Sequence, residues 1–260
     1  MNSKFLNTFY LVLLLSLFLF PEKSMGKEKA KEKPLGITFG LDYMSNYLWR
    51  GGYWYNNDGA FFPYLSYEIA GLTASYCGEF SEDALIDDGD DSIKDLHATD
   101  FGLDYSHDLF EVVSLGTSLW YFYFHNKDEN SFGTGSISLS LISLPLTPTL
   151  TYNHDYYTDD AADEQGKDFY IQLGVGDSLS ITKEASLDLG LVGSYYRVKS
   201  WGNDQKGISD LTASAGINLS FNQITLTGSF NYCLVPSKDF YGDPKDRHRF
   251  YSKFGVSYLL

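Results

Sequence analysis

Gly36–Gly51 reads GITFGLDYMSNYLWRG, and its side chains change character from each position to the next. Ile37, Phe39, Leu41, Tyr43, Ser45, Tyr47 and Trp49 fall on one parity. Gly36, Thr38, Gly40, Asp42, Met44, Asn46, Leu48 and Arg50 fall on the other. Side chains of a β-strand point alternately to its two faces, so this pattern gives a strand with one apolar face and one small or polar face. The stretch is long for a soluble strand, and aromatic residues crowd its downstream end. A strand that crosses a bilayer at a tilt needs about 9–11 residues and carries aromatics where it meets the interface. Phe39, Leu41 and Tyr43 are therefore expected to face lipid, and Asp42 and Asn46 a lumen.

The same period continues along the chain and gives twelve candidate strands. After Gly36–Gly51 they are Ala60–Glu68, Leu72–Phe80, His97–Tyr105, Glu111–Phe124, Gly135–Leu144 and Leu146–Tyr156, then Phe169–Gly176, Ser186–Val198, Ile208–Leu219, Gln223–Leu234 and Arg249–Leu260. Connections after odd strands are long and polar. Those after even strands are short: Ala70-Gly71, Ser106–Asp108, Pro145 and Asn222, with Asp177–Glu184 the one extended exception. An even strand count with short turns at one end and longer loops at the other describes an all-β, transmembrane, antiparallel up-and-down barrel of about 12 strands. A lipid-embedded sheet has no free edge, so the first strand must pair with the last. A soluble barrel would turn polar side chains outward. Here the polar face is rich in Gly, Ser and Thr, which suits a crowded or watery interior.

Residues 1–26 have the form of an export signal: Lys4, the apolar core Phe5–Phe20, and small residues around Ser24-Met25-Gly26. Residues 27–35 read as a short charged periplasmic tail and 36–260 as the barrel. The formal net charge is −15, and removal of the signal, with Lys4, Glu22 and Lys23, makes it about one unit more negative. This excludes nucleic acid as a partner, because its phosphates require clustered Lys and Arg. Cys77 and Cys233 lie in strands placed far apart around the sheet, beyond the reach of a disulfide, and are expected as free thiols. The final strand alternates apolar and aromatic residues up to Leu260. It resembles the end that barrel-assembly machinery recognises, except that Leu260 stands where Phe is usual. The location implied is the bacterial outer membrane, with both termini periplasmic and outer-membrane lipid around the wall.

Strand one also carries the words most like a known family. DYMSNYLWRGG (Asp42–Gly52) resembles the S-x-Y-x-x-R-G element of the TorF-type (Gcw_chp-like) porin family, matched here by Ser45, Tyr47, Arg50 and Gly51. ATDFGLDYSHDL (Ala98–Leu109) and ISDLTASAGINLSF (Ile208–Phe221) are similar to later segments of that family. The resemblance implies an outer-membrane porin-like barrel and brings no catalytic residues.

Chemistry-bearing residues fall in two groups. The polar faces place Asp42, Asn46, Arg50, Glu68, Glu79, Asp100, Asp104, Asp188 and Lys253 toward the lumen. Arg50, among aromatic neighbours, is expected to stack on a ring or to pair with a lumen carboxylate. Acids also crowd two connections, eight between Glu79 and Asp95 and six between Asp155 and Asp168. Asp87, Asp88, Asp90, Asp91, Asp159 and Asp160 would form an acidic mouth, which is a solvated surface, a funnel that concentrates cations or, at Asp87-Asp88-Gly89-Asp90-Asp91, a weakly signalled divalent-ion site. EF-hand spacing is absent, so no metal or other cofactor is expected. His97 and His154 are the candidate bases of a barrel hydrolase, but no motif supplies a nucleophile or an activated water. The expectation is a non-enzymatic channel for small solutes, cation- or neutral-preferring. The alternative is a non-conducting barrel whose loops bind a surface partner.

Overall fold

The computed structural model describes residues 36–50, 52–53, 59–81, 96–125, 131–157, 168–199, 205–237, 240 and 247–260. Residues 1–35 and the acidic-mouth residues Asp87, Asp88, Asp90, Asp91, Asp159 and Asp160 lie outside the described residues.

Twelve antiparallel strands close into one barrel. In chain order they are β1 (Ile37–Met44), β4 (Ala60–Ile69), β5 (Leu72–Ser81), β6 (Leu96–Leu109), β7 (Val113–Phe124) and β8 (Phe132–Ser140), followed by β9 (Thr149–Tyr157), β10 (Phe169–Ser180), β11 (Ala185–Val198), β12 (Gln205–Phe221), β13 (Ile224–Leu234) and β14 (His248–Leu259). Two short strands, β2 (Leu48–Trp49) and β3 (Gly52–Tyr53), pair only with each other. Each wall strand pairs with its sequence neighbours, and β1 closes the ring on β14 with Thr38 opposite Leu259 and Met44 opposite Lys253. This is the closure that the absence of a free edge requires.

Alternation orders the wall. Phe39, Leu41, Leu65, Leu173, Ile217 and Phe254 stand on the outside, and Leu173 is 61% exposed. A large apolar surface wrapped round a closed barrel is the arrangement of lipid-facing walls. The intervening residues point inward, where they are small or polar. Gly102 shows why: a Cβ there would lie 2.5 Å from the Trp120 ring. Cys77 and Cys233 are both free.

Four connections differ from the sequence reading. The first strand was expected to run to Gly51, but the wall strand ends at Met44 and the chain turns inward. Ser106–Asp108 is not a turn: the ladder continues with Ser106 opposite Gly116 and Asp108 opposite Ser114. The turn falls at Phe110–Val112, with positive φ at Phe110 and Glu111. Polar side chains favoured a turn locally, yet cross-strand pairing outweighs that preference. The Pro145 turn widens to Leu141–Pro148, since neither proline has an N–H for the ladder. The connection expected over Asp177–Glu184 shortens to Ile181–Glu184 because β10 continues to Ser180. Bulges account for two further details. One doubles Ser209 and Asp210 against Ser194, and both side chains turn inside. The other lies between β5 and β6 beside Glu79, near His97.

Candidate functional site

Where the chain leaves β1 it remains fastened to β14: the Ser45 amide donates to the Ser252 carbonyl and the Ser252 amide to Ser45 Oγ, both at 2.9 Å. It then enters the barrel. Leu48 pairs with Tyr53 and Trp49 with Gly52 to form the β2–β3 hairpin. Arg50 sits at its turn in the left-handed region, at φ 51°, a conformation disfavoured for a residue with a Cβ. That strain is sustained by what its side chain reaches.

The Arg50 guanidinium forms a bidentate ion pair with Asp155 of β9, with Nη2 donating to Oδ1 at 2.6 Å and Nη1 to Oδ2. Nη1 also donates to the Tyr196 hydroxyl at 3.2 Å. Its carbon centre lies 4.1 Å from the Trp49 ring centroid and just over 5 Å from those of Tyr170 (5.2 Å) and Tyr196 (5.1 Å). Thr134 Oγ1 gives Asp155 another hydrogen bond at 2.8 Å. Arg50 and Asp155 are 6% and 0% exposed. A planar fork matched to a carboxylate and covered by rings is the strong form of such a pair. Breaking one while leaving its partner buried costs about 3–5 kcal/mol.

Ring position gives this pair its meaning. β9 stands six places from β1 in either direction round the twelve-membered ring. The segment 45–50 therefore spans the barrel's full width. Along its course the Tyr47 hydroxyl donates to Glu79 of β5 at 3.1 Å. Leu48 packs on a cluster that includes Tyr170, Tyr196, Val198 and Cys233. Trp49 packs on Ala98, Phe124 and Phe132, with its ring 5.5 Å from Phe132. Behind the Arg50 site, Tyr170 donates to Asp210 at 2.8 Å, and Ser194 and Ser209 donate to the same carboxylate.

The lumen also contains a cavity of about 540 Å³. Its lining includes Asp42, Glu79, Asp100, Asp188 and Lys253, together with Tyr47, Phe62 and Phe122. These acids have different neighbours. Asp42 interacts electrostatically with Lys253, and Asp188 accepts from Asn218 Nδ2. Asp100 is 4% exposed and its Oδ1 has no hydrogen-bond partner among the described residues, but its carboxyl is hydrogen-bonded to that of Glu79.

The other residues placed at the lumen by alternation lie elsewhere. Asn46 is in the crossing segment, where it accepts from Ser45 Oγ at 3.2 Å. Glu68 is exposed at the turn end, opposite Thr73. Asp104 accepts from Trp120 Nε1 at 3.1 Å. Asp155 and Asp168 bound an acid-rich connection in the sequence, but they are 0% and 1% exposed inside the barrel. Asp155 has the same parity as Thr149, Thr151 and Asn153, so the alternation already pointed it inward. Among the described residues no group of three or more His, Cys, Asp or Glu side chains is placed to hold a metal ion. The two histidines of interest have aromatic neighbours. His154 Nδ1 lies 3.2 Å from the Tyr152 hydroxyl, and His97 meets the edge of Phe124.

No family model and no curated protein matches the chain. Solved structures do. The KdgM porin superposes with a TM-score of 0.55 at 10% identity, covering 86% of this chain and 99% of that one. An outer-membrane channel from Pseudomonas putida F1 gives 0.55 at 14% identity, with 91% and 100% covered. The NanC porin gives 0.51 at 13% identity, with 86% and 100% covered. The chain has the fold of outer-membrane porins. These likenesses span the other chains almost from end to end, so the barrel is equivalent as a whole.

Proposed function

We propose that this chain is an outer-membrane porin-like channel for passive diffusion of small solutes, with both termini in the periplasm and a preference for cations or neutral molecules. One observation carries the reading: a closed barrel with an apolar outside encloses a cavity lined by four carboxylates, Asp42, Glu79, Asp100 and Asp188, against one amine, Lys253. Charged groups inside a membrane barrel either line a route or pair to fill it, and here the acids outnumber the base. Outer-membrane lipid and the barrel-assembly machinery are the partners that this reading requires. A TorF-type affiliation belongs to it as well, and Ser45, Tyr47 and Arg50 of the matching element are residues of the crossing segment. Nothing in the reading calls for catalysis.

The test is planar-bilayer recording of the refolded barrel under a salt gradient. The expected result is a small, resolvable unit current with a cation-selective reversal potential. An anion-selective potential would overturn the charge preference, and no current at all would overturn the channel. The crossing segment favours a second reading, a non-conducting barrel whose loops bind a surface partner, because Tyr47, Trp49 and Arg50 occupy interior space. Current that appears only after Trp49 is truncated would establish that reading for the native chain.

A further inference from the structure

Cations are scarce in the barrel wall. The Lys and Arg residues of the described wall strands are Arg197 on β11, Lys206 on β12, and Arg249 and Lys253 on β14. The last two are inside, since Arg249 is 3% exposed and Lys253 lines the cavity. Arg197 and Lys206 share the parity of the lipid-facing residues, and the register sets them directly opposite each other at the loop end of adjacent strands. Along each strand the outward residues change in the same order. On β11 Leu189 and Leu191 give way to Tyr195 and then Arg197; on β12 Ile217 and Leu211 give way to Ile208 and then Lys206. Apolar side chains followed by an interfacial ring and then a charge is the order met on leaving hydrocarbon for headgroups, and a cation on the lipid face is tolerated only near that interface. Phe169 of β10 stands opposite Arg197, and its ring stacks at 6.1 Å on Tyr195 and at 6.0 Å on Tyr152.

The chain does not neutralise this pair. Directly opposed residues have Cβ atoms about 4.5–5.5 Å apart, and like charges there repel. Among the described residues neither cation has an ion-pair partner, and Arg197 Nε is buried with no hydrogen-bond partner. An anion bridging the two strands meets both needs. A phosphate monoester carries a charge of about −1.5 to −2 near neutral pH, which matches two cations. Its oxygens accept the guanidinium fork and take the ammonium as a point charge. A zwitterionic headgroup fits less well, because it brings a cation of its own. The exposed Leu191, Ile208 and Leu211 alongside favour a phosphate that arrives on acyl chains over a free one.

We propose that Arg197 and Lys206, flanked by Phe169 and Tyr195, form a site on the outer wall for the phosphate monoester headgroup of a membrane lipid, whose acyl chains lie along Leu191, Ile208 and Leu211. The assignment rests on the outer-membrane reading above, in that lipid headgroups surround the loop end, and it does not depend on whether the lumen conducts. Association is reversible, with no bond made or broken.

Lipid A with both of its phosphates is the probe, beside phosphatidylcholine and inorganic phosphate. The refolded full chain in uncharged detergent micelles is titrated with each, and the lipid-bound fraction is read by native mass spectrometry. Arg197→Gln, Lys206→Gln and Lys183→Gln are compared with it, each checked for the heat-modifiable gel migration of a folded barrel. Lys183 is exposed in the turn at the opposite rim and controls for unspecific attraction. Saturable binding of lipid A is expected in the native chain. Arg197→Gln should weaken it about tenfold, since it removes the fork with the charge; Lys206→Gln should weaken it about threefold and Lys183→Gln less than about twofold. Absence of saturable binding overturns the site, and so does an unchanged affinity in the Arg197 and Lys206 variants or an equal loss in the Lys183 variant. Inorganic phosphate that displaces lipid A at matched concentration overturns the lipid as ligand, and phosphatidylcholine binding as tightly overturns the monoester. If Arg197→Gln does not fold, Lys206→Gln decides alone. Bilayer current separates the two proposals. Lipid binding without current overturns the channel and keeps the site, whereas current without lipid binding overturns the site and keeps the channel.

Discussion

At the loop end Asp155 is buried against Arg50, with a hydroxyl and three rings completing the site. In the cavity Asp100 is nearly as buried, yet its charged neighbour is another acid. The first carboxylate is satisfied by the chain and fixes structure. The second is held in place by strands β5 and β6 and is hydrogen-bonded to the carboxyl of Glu79. The difference is the partner, a guanidinium for Asp155 and a second carboxyl for Asp100. A barrel wall is rigid enough to hold both arrangements, because each acid is fixed by a ladder that does not depend on its own side chain.

Arg50→Ala breaks this contrast and should have the largest effect. It leaves Asp155 buried and uncompensated, and a loss of about 3–5 kcal/mol is expected in denaturant unfolding of the refolded barrel. The double variant Arg50→Met with Asp155→Leu should recover most of that loss, since an apolar pair of similar volume removes both charges. If the double variant is as unstable as the single one, the crossing segment is held by its rings and not by the ion pair.

Trp49→Ala should cost less, about 2–3 kcal/mol for a half-buried ring, while widening the passage beside Phe122 and Phe132. A several-fold rise in unit conductance would accompany it, and an unchanged conductance would put the narrowest point elsewhere. The smallest effect belongs to Asp100→Asn. An amide there removes like-charge repulsion against Glu79, so stability should stay within about 1 kcal/mol of the native chain, on the stabilising side. A large loss would mean that Asp100 has a structural cation of its own, and the two acidic places would then be alike.

How far the sequence led can be judged from particular residues. Alternation located the wall strands and their seam, because burying one face of a strand fixes the parity of every residue in it. It failed at Ser45–Arg50, where the same parity continues although the chain has left the wall. Period two records that successive side chains face opposite ways, and not which sheet they belong to. Residue type misled at Asp108, where an acid suggested a turn and the ladder holds it in β6, and at Asp168, where it suggested solvent and the residue is 1% exposed. The Arg50–Asp155 pair joins residues 105 positions apart. Sequence reasoning expected Arg50 to find a ring or a carboxylate and had no means of naming which. The orphan oxygen of Asp100 was equally out of reach, since it depends on what neighbouring strands fail to supply.

The crossing segment also bears on the order in which the molecule is made. The contact between Ser45 and Ser252 that flanks the seam spans 207 residues, whereas Arg50 meets Asp155 after 105. Strands supplied in sequence order make the second contact possible while the sheet is still open. A cross-link between the first wall strand and the one destined to stand opposite it curls the unfinished sheet and shortens the effective loop left to close. Since closure entropy grows only with the logarithm of loop length, the gain from shortening is modest. Arg50 and Asp155 thus tie opposite sides of the ring at about half the sequence separation of the seam contact.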